Sequence, residues 1–371
     1  MIKHKLIGTA YKHVLKPIFF KFDPEFVHDK MTNSGHLLGT NVVTKKLTSS
    51  VFNHKNKSLV QVVDGVEYAN PVGLSAGFDK NAKLTNILEH VGFGFTEIGS
   101  VTYNPYAGNP KPRLYRLKKS KGLVVYYGLK NDGVKNIAER IKKASAGKLI
   151  LGISIAKTNA EYTSTEEGGI QDYFDCLKYL EDNNIGHYYT INISCPNTFG
   201  GEPFTTEEKL DKLLNKLSEV KTSKPIYIKM PINLPIEEFD KLLKVAVKYK
   251  INGVVIGNLT KVKDSDLIKD TIPEHVKGGI SGKPTEKLCN ELISYTYKNY
   301  GKQLTIIGVG GIFSAHDAYE KIKRGSTLLE LITGMIFEGP QLIGEINHGL
   351  AELLKKDGYS NISQAIGDYN K

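Results

Sequence analysis

The sequence predicts an α/β protein: a (β/α)8 barrel with a small helical extension at its N-terminus. Three observations predict it. Eight short apolar, β-branched runs recur, at Pro71–Ser75, Phe95–Val101, Leu149–Ile155, Tyr188–Ser194, Pro225–Met230, Gly253–Asn258, Leu304–Val309 and Leu328–Thr333. Such runs read as strands buried on both faces of a parallel sheet. Most precede a helical pattern, as at Glu207–Val220, Ile236–Tyr249, Thr285–Tyr300 and Ala315–Lys323, and repeated strand–helix units favour a barrel over a doubly wound sheet. Polar residues collect where the runs end, on the rim where barrel enzymes place their chemistry.

In chain order, Asp23-Pro24-Glu25 reads as a helix start, with proline at the first helical position after an aspartate cap. Residues 1–50 form a small helical piece, and residues 51–371 the barrel. Leu59–Tyr68 is a hairpin with Asp64-Gly65 as its two-residue turn. Between Asn104 and Asn131 lies an antiparallel excursion over the top of the barrel, carried by Pro110–Leu117 and Gly122–Tyr127.

Composition sets the class. The chain has 371 residues, 40% of them hydrophobic and 24% charged, which describes a globular protein with a sizeable core. Cys176, Cys195 and Cys289 are far apart without a CxxC pair, so neither a disulfide framework nor a zinc site is indicated, and a reducing compartment is the default. The net charge of +11 comes from scattered lysines. It suits an anionic substrate, a phosphate-bearing cofactor or an acidic membrane surface, and no RNA-binding aromatic motif or zinc-finger spacing argues for nucleic acid. No apolar run reaches the ~20 residues that span a bilayer. From Met1 to Phe26, however, Lys3, Lys5, Lys12, Lys16 and Lys21 mix with Leu6, Ile7, Tyr11, Val14, Leu15, Ile18, Phe19, Phe20 and Phe22. Such a segment can lie on an anionic membrane, or pack as an amphipathic helix on its own protein, which composition alone favours.

The most informative stretch is Tyr189–Asn197, an apolar run that ends in Asn192, Cys195, Pro196 and Asn197. Cysteine is the side chain there whose unperturbed pKa, about 8.5, suits a proton acceptor near neutrality. The asparagine amides suit a flat, imide-like ligand, although Asn-x-x-Cys-Pro-Asn also reads as a plain turn after a strand. Other strand ends carry Ala76-Gly77-Phe78-Asp79-Lys80, Ser100, Ser154, Lys229, Asn258, Gly310-Gly311 and Thr333-Gly334. The last two follow strands seven and eight, the usual phosphate site of such barrels.

These residues resemble dihydroorotate dehydrogenase, the flavin enzyme family of pyrimidine synthesis, and more narrowly its membrane-associated, quinone-reducing class 2. The resemblance runs through Phe20–His28, Asn70–Lys80, Gly92–Ser100, Asn192–Asn197, Gly278–Pro284, Ile307–Ile312 and Lys356–Ile362. It implies FMN with its phosphate at Gly282, Gly311 and Thr333, and its ring system at Ala76, Gly77, Ser100, Asn192 and Gly257. Lys229 would face the pyrimidine side of the flavin, with Lys80, Ser154 and Ile332 completing the cofactor set. Dihydroorotate would be held by Lys80, Gly128, Leu129, Asn192, Asn197 and Asn258, and Cys195 would be the general base. His28 and Arg113 match polar residues of the family's quinone tunnel. The implied partners are dihydroorotate and a membrane quinone. The implied location is peripheral, on the cytoplasmic side of a membrane, with the cytoplasm as alternative.

Five positions depart from the class 2 pattern. Cys195 stands where serine is usual and cysteine is the habit of class 1. Val125 and Ser154 stand for asparagines, Leu259 for a hydroxyl residue, and Ile332 for a tunnel tyrosine. A lost hydrogen bond to a buried polar ligand costs about 1–3 kcal/mol, so these changes bear on affinity and substrate identity. The rival readings are a flavin enzyme acting on another dihydropyrimidine or using NAD+ or fumarate, a flavin-free isomerase or synthase of sugar phosphates, and a flavoprotein without turnover.

Overall fold

The structure, a computed structural model, describes residues 2–195, 197–198, 201, 204–263 and 266–370. Pro196 of the Asn-x-x-Cys-Pro-Asn stretch lies outside them. The hairpin forms as β1 (Gln61–Val63) and β2 (Val66–Tyr68). Then follow β3 (Val72–Leu74), β4 (Phe95–Val101), β5 (Leu114–Leu117), β6 (Gly122–Val125), β7 (Ile150–Ile155), β8 (Tyr188–Asn192), β9 (Ile226–Met230), β10 (Gly253–Ile256), β11 (Gly279–Gly282), β12 (Thr305–Val309) and β13 (Leu328–Leu331). Eight of them close a parallel barrel in the order β10-β12-β13-β3-β4-β7-β8-β9. All eight expected strands are there, with trimmed ends.

The outer helices form for local reasons. The helix Glu207–Leu217 buries Leu210, Leu213, Leu214 and Leu217 along one stripe, with Glu207 and Glu208 in its first turn and Lys216 in its last, matching the helix dipole. In the helix Ala315–Arg324, Ser314 caps the start by accepting from the Asp317 amide. At the chain's start, Asp23 caps Pro24–Leu38 by accepting from the Phe26 amide at 2.8 Å.

The predicted excursion is real, but it has a third strand. β5 and β6 pair antiparallel, and β11 joins β6 with Gly279 opposite Val125. Two of the four β11 residues are glycine, a type depleted from strands, so its own sequence gave no strand signal.

The barrel interior is filled in tiers, because alternate residues of each strand point inward. Phe95, Tyr188 and Leu328 occupy the lowest tier, and the hairpin closes that end, with Tyr68 edge-on to Phe95 at 5.4 Å. Glycines on neighbouring strands make the room. A Cβ on Gly73 would lie 2.3 Å from the Phe95 ring, and one on Gly152 2.1 Å from Tyr188. Gly73→Val should therefore destabilise the protein by about 1–3 kcal/mol or more, read as a lower denaturation midpoint. Adding Phe95→Ala should recover part of the loss, because the two sites share one space.

Residues 2–52 form helices that only partly pack. Tyr11 Oη donates to the Ile336 carbonyl at 2.6 Å, Lys12 pairs with Glu338, and Arg116 donates to the Phe22 carbonyl at 2.7 Å. Yet among the described residues twelve of the nineteen exposed large apolar side chains lie between Leu6 and Leu47, including Phe22, Phe26, Leu37, Val42 and Val43. The segment packs on the barrel along one side, as the self-packing reading expects, and leaves apolar side chains towards solvent on the other. Among the described residues no helix is long and apolar enough to cross a membrane.

Candidate active site

One continuous cavity opens at the C-terminal ends of the barrel strands and encloses about 1260 Å³ between atoms, part of it open to solvent. Of the residues singled out in the sequence, Ala76, Gly77, Lys80, Ser100, Gly128, Leu129, Asn192, Cys195, Asn197, Lys229, Gly257, Asn258, Gly282, Gly311, Ile332 and Thr333 line it, as does His28. Ser154 and Arg113 are not on its wall. Ser154 lies fully buried behind Ser100, with the two hydroxyls 2.8 Å apart.

The end beyond β12 and β13 is shaped for a group that approaches backbone closely. Gly282 and Gly311 take φ of +92° and +75°, and a Cβ there would fall 2.4 Å from the Lys121 carbonyl oxygen and 2.3 Å from Glu286 Cβ. The hydroxyls of Ser281 and Thr333 meet beside them at 2.9 Å. Lys229, 5% exposed, donates to Ser75 Oγ at 3.1 Å from the cavity floor. Backbone cradle, paired hydroxyls and buried ammonium are the donor set that a phosphate-tailed flavin needs.

On the facing side, Asn192 Nδ2 donates to Ser100 Oγ at 2.8 Å. Its Oδ1 accepts from the amide and hydroxyl of Ser194, both at 3.2 Å. This short turn delivers Cys195, half-buried, to the cavity wall. Asn258 Nδ2 reaches the Ser194 carbonyl at 2.8 Å, and Asn197 Nδ2 reaches the Val125 carbonyl at 2.9 Å. Asn258 secures the loops with both of its groups, its Oδ1 accepting from the Leu259 amide at 2.9 Å, whereas Asn197 uses its Nδ2 and has further donor and acceptor capacity for a ligand. Lys157, next to Asp172 and Cys195, is a buried cation that the sequence reading passed over. Burial lowers its pKa, and those two neighbours oppose the shift.

Towards the N-terminal helices the cavity continues past Lys80, His28 and Tyr127. Lys80 Nζ sits 3.4 Å from His28 Nε2 and 3.9 Å from the centre of the Tyr127 ring. Burial, reinforced by Lys130, lowers the Lys80 pKa to about 8, while Asp29 and Glu25 oppose it. Burial first, then Lys80 and Lys130, pushes His28 down to about 2, so its imidazole is neutral at any working pH. Arg113 is turned away and donates to Glu25 Oε1 at 3.1 Å, where Lys130 also binds at 3.2 Å. Glu25 is 2% exposed and organises this wall, although the sequence offered it only as part of a helix start.

The sequence profile of the family described as Dihydroorotate dehydrogenase matches residues 58–354. The chain belongs to the dihydroorotate dehydrogenase family. A "Dihydroorotate dehydrogenase (quinone)" of Sulfurimonas denitrificans is 38% identical, covering 95% of this chain and 97% of the relative. One of Nostoc punctiforme is 35% identical over 96% and 97%. Among solved structures, the DHODH of Eimeria tenella in complex with ferulenol superposes with a TM-score of 0.81 at 25% identity, covering 93% of this chain and 95% of that one. Its ligand-free form gives 0.81 at 26% identity, with 94% and 100% covered. Like the rest of the dihydroorotate dehydrogenase family, the protein is a flavin-dependent oxidoreductase.

Proposed function

We propose that the protein oxidises (S)-dihydroorotate to orotate in pyrimidine synthesis, with FMN as its flavin, Cys195 as the general base and a membrane quinone as final acceptor. The observation that carries this reading is the joint placement in one cavity of a glycine cradle and Lys229 at one end and Cys195, three asparagine amides and Lys80 at the other. Bound FMN supplies the hydride acceptor. The FMN phosphate would rest at Gly282, Gly311 and Thr333. Its ring system would lie along Ala76, Gly77, Ser100, Asn192 and Gly257, with Ile332 beside it and Ser154 acting through Ser100.

Lys80 holds the substrate carboxylate as an ion pair, and Asn192, Asn197 and Asn258, with Gly128 and Leu129, orient the ring amides. Cys195 Sγ, as thiolate, takes the proton from the ring carbon next to the one that gives up hydride. Holding the ring against the base in a fixed pose makes the step effectively intramolecular. Lys229 provides positive charge where negative charge develops on reduction.

Anaerobic addition of dihydroorotate to the purified yellow protein tests the reading, and bleaching of the flavin bands is the expected result. Val125 lies on the cavity wall where the family resemblance expects an asparagine, which favours one second reading, a different dihydropyrimidine as substrate. Faster bleaching by dihydrouracil than by dihydroorotate would establish it.

Residues 1–50 serve as the membrane and tunnel segment, and residues 51–371 as the FMN-binding barrel. The exposed apolar side chains of residues 6–47, interspersed with lysines, support peripheral docking on an anionic membrane. His28 on the cavity wall and Arg113 behind Glu25 support a quinone path between those helices and the flavin. Deleting residues 1–45 should lower reduction of a ubiquinone analogue about tenfold or more and abolish sedimentation with anionic vesicles, while dihydroorotate still bleaches the flavin. Full quinone activity in the shortened chain would remove the membrane role.

A further inference from the structure

Below the cavity floor the barrel interior turns polar, where branched apolar side chains ordinarily fill such barrels. Glu97 on β4 and Glu330 on β13 are both fully buried. Their strands flank β3, and with Thr190 of β8 they form the tier beneath Lys229 and Ser75. Thr190 donates its hydroxyl to Glu97 Oε1. Lys229 Nζ lies 3.9 Å from Glu330 Oε2. Glu97 Oε2 and both Glu330 oxygens lack a well-aligned donor among the described residues, while the two carboxyl groups lie within hydrogen-bonding reach of each other and the Ser75 hydroxyl lies beside Glu330.

Among the described residues the other groups turned to this tier come from below and add no positive charge. Tyr227 donates to Asp64 at 2.7 Å and lies within hydrogen-bonding reach of the Tyr68 hydroxyl, and the Tyr188 hydroxyl has no hydrogen-bond partner among the described residues. One lysine therefore faces two carboxyl groups. A buried carboxylate without a counter-charge neutralises itself by keeping its proton.

We propose that Glu97 and Glu330 retain one proton between them, and that this proton keeps the charge of Lys229 available to the flavin above. The inference rests on the flavin reading of the cavity. Burial raises the proton affinity of both carboxyls. At Glu330 the charge of Glu97 raises it further, and Lys229 opposes the rise at each. Losing the shared proton would set a second negative charge under Lys229 and oppose the negative charge that reduction adds above it. Glu97 and Glu330 are thus positioning residues: they act on the flavin through Lys229, and the pair titrates as a unit.

The test compares wild-type holoenzyme with Glu330→Gln and Glu97→Gln. It reads the flavin midpoint potential across pH and the infrared carbonyl stretch of a protonated carboxylic acid. The wild type should show that acid band, and each variant should lose it. Near neutrality the potential should stay in place, since a neutral amide replaces a neutral acid. At alkaline pH the wild-type reduction equilibrium should fall below that of Glu330→Gln by at least tenfold, about 30 mV for a two-electron couple.

A wild type without the acid band, or a Glu330→Gln potential raised tenfold or more at neutrality, would overturn the proposal, because Glu330 would then be ionised beside Lys229. Potentials that run together at every pH would overturn the link to the flavin. Wild-type protein that takes up no flavin would instead sink the flavin reading, and the infrared band would still decide the proton.

Discussion

Replacing Cys195 by alanine should slow reduction of the bound flavin by dihydroorotate about 10²–10⁴-fold, the usual worth of a positioned base. The expectation follows from place and chemistry together. The turn made by Asn192 and Ser194 sets Cys195 on the cavity wall among the amides that would orient the ring. A thiol whose unperturbed pKa is about 8.5 ionises more readily than a hydroxyl. Cys195→Ser should therefore keep part of the activity and push the ascending limb of its pH profile to higher pH. The descending limb has another owner. Lys80, with its pKa brought down by burial and Lys130 to about 8, is held below its ordinary 10.5, so the ammonium is present at neutrality and disappears as pH rises through that value. With it goes the ion pair to the substrate carboxylate, so kcat/KM should fall above about 8 in wild type and Cys195→Ser alike. Stopped-flow reduction across pH separates the two limbs. An ascending limb that stays in place in Cys195→Ser would end the case for this thiol as base.

The barrel was legible because its strands are buried on both faces, and continuous β-branched runs such as Gly253–Ile256 have no other stable use. The hairpin was legible from Asp64-Gly65 alone. The rule that chemistry collects at strand C-termini supplied Ala76, Gly77, Lys80, Ser100, Asn192, Cys195, Asn197, Lys229, Asn258, Gly311 and Thr333. The family resemblance added His28, Gly128, Leu129, Gly257, Gly282 and Ile332, and all of them line the cavity. What stayed hidden depends on partners distant in sequence. Glu25 meets Arg113 and Lys130 across about ninety to a hundred residues, and no local pattern encodes such an ion pair. β11 exists only because β6 is beside it. Ser154 sits at the expected strand end and points inward, on the face of Gly152 and in register with Thr190, yet it reaches the cavity only through Ser100, which stands in between at the bulged end of β4. The buried carboxyls did leave a signal. Glu330 interrupts an otherwise apolar strand and Glu97 is the one charged residue of its strand, both strands being wholly buried, and a lone carboxylate inside such a run asks for a partner.

Lys229→Met should be among the most destabilising single changes in this chain, by about 3–5 kcal/mol near neutrality, because it strands carboxyl groups that cannot reach water. Glu97 and Glu330 are fully buried, and Lys229 is the cation their region holds. Protonation offers a partial escape, and it fixes the sign of the pH dependence. A carboxyl whose folded-state pKa is raised above its unfolded value, about 4.3, binds more protons folded than unfolded. Stability therefore falls as pH rises from that value towards the raised one. Burial already raises both groups in the wild type, and Lys229 opposes the rise at each. Removing it widens the window, so the loss in Lys229→Met should be smaller at about pH 5 and larger at about pH 9. Denaturant midpoints at the two pH values measure this. The double variant Lys229→Met with Glu330→Gln should recover about 0.5–3 kcal/mol at the higher pH, the coupling expected of groups in contact. A loss equal at both pH values, unrelieved by the second substitution, would mean that Lys229 stabilises the barrel by filling space alone. The charge balance beneath the cavity would then have no part in holding the fold together.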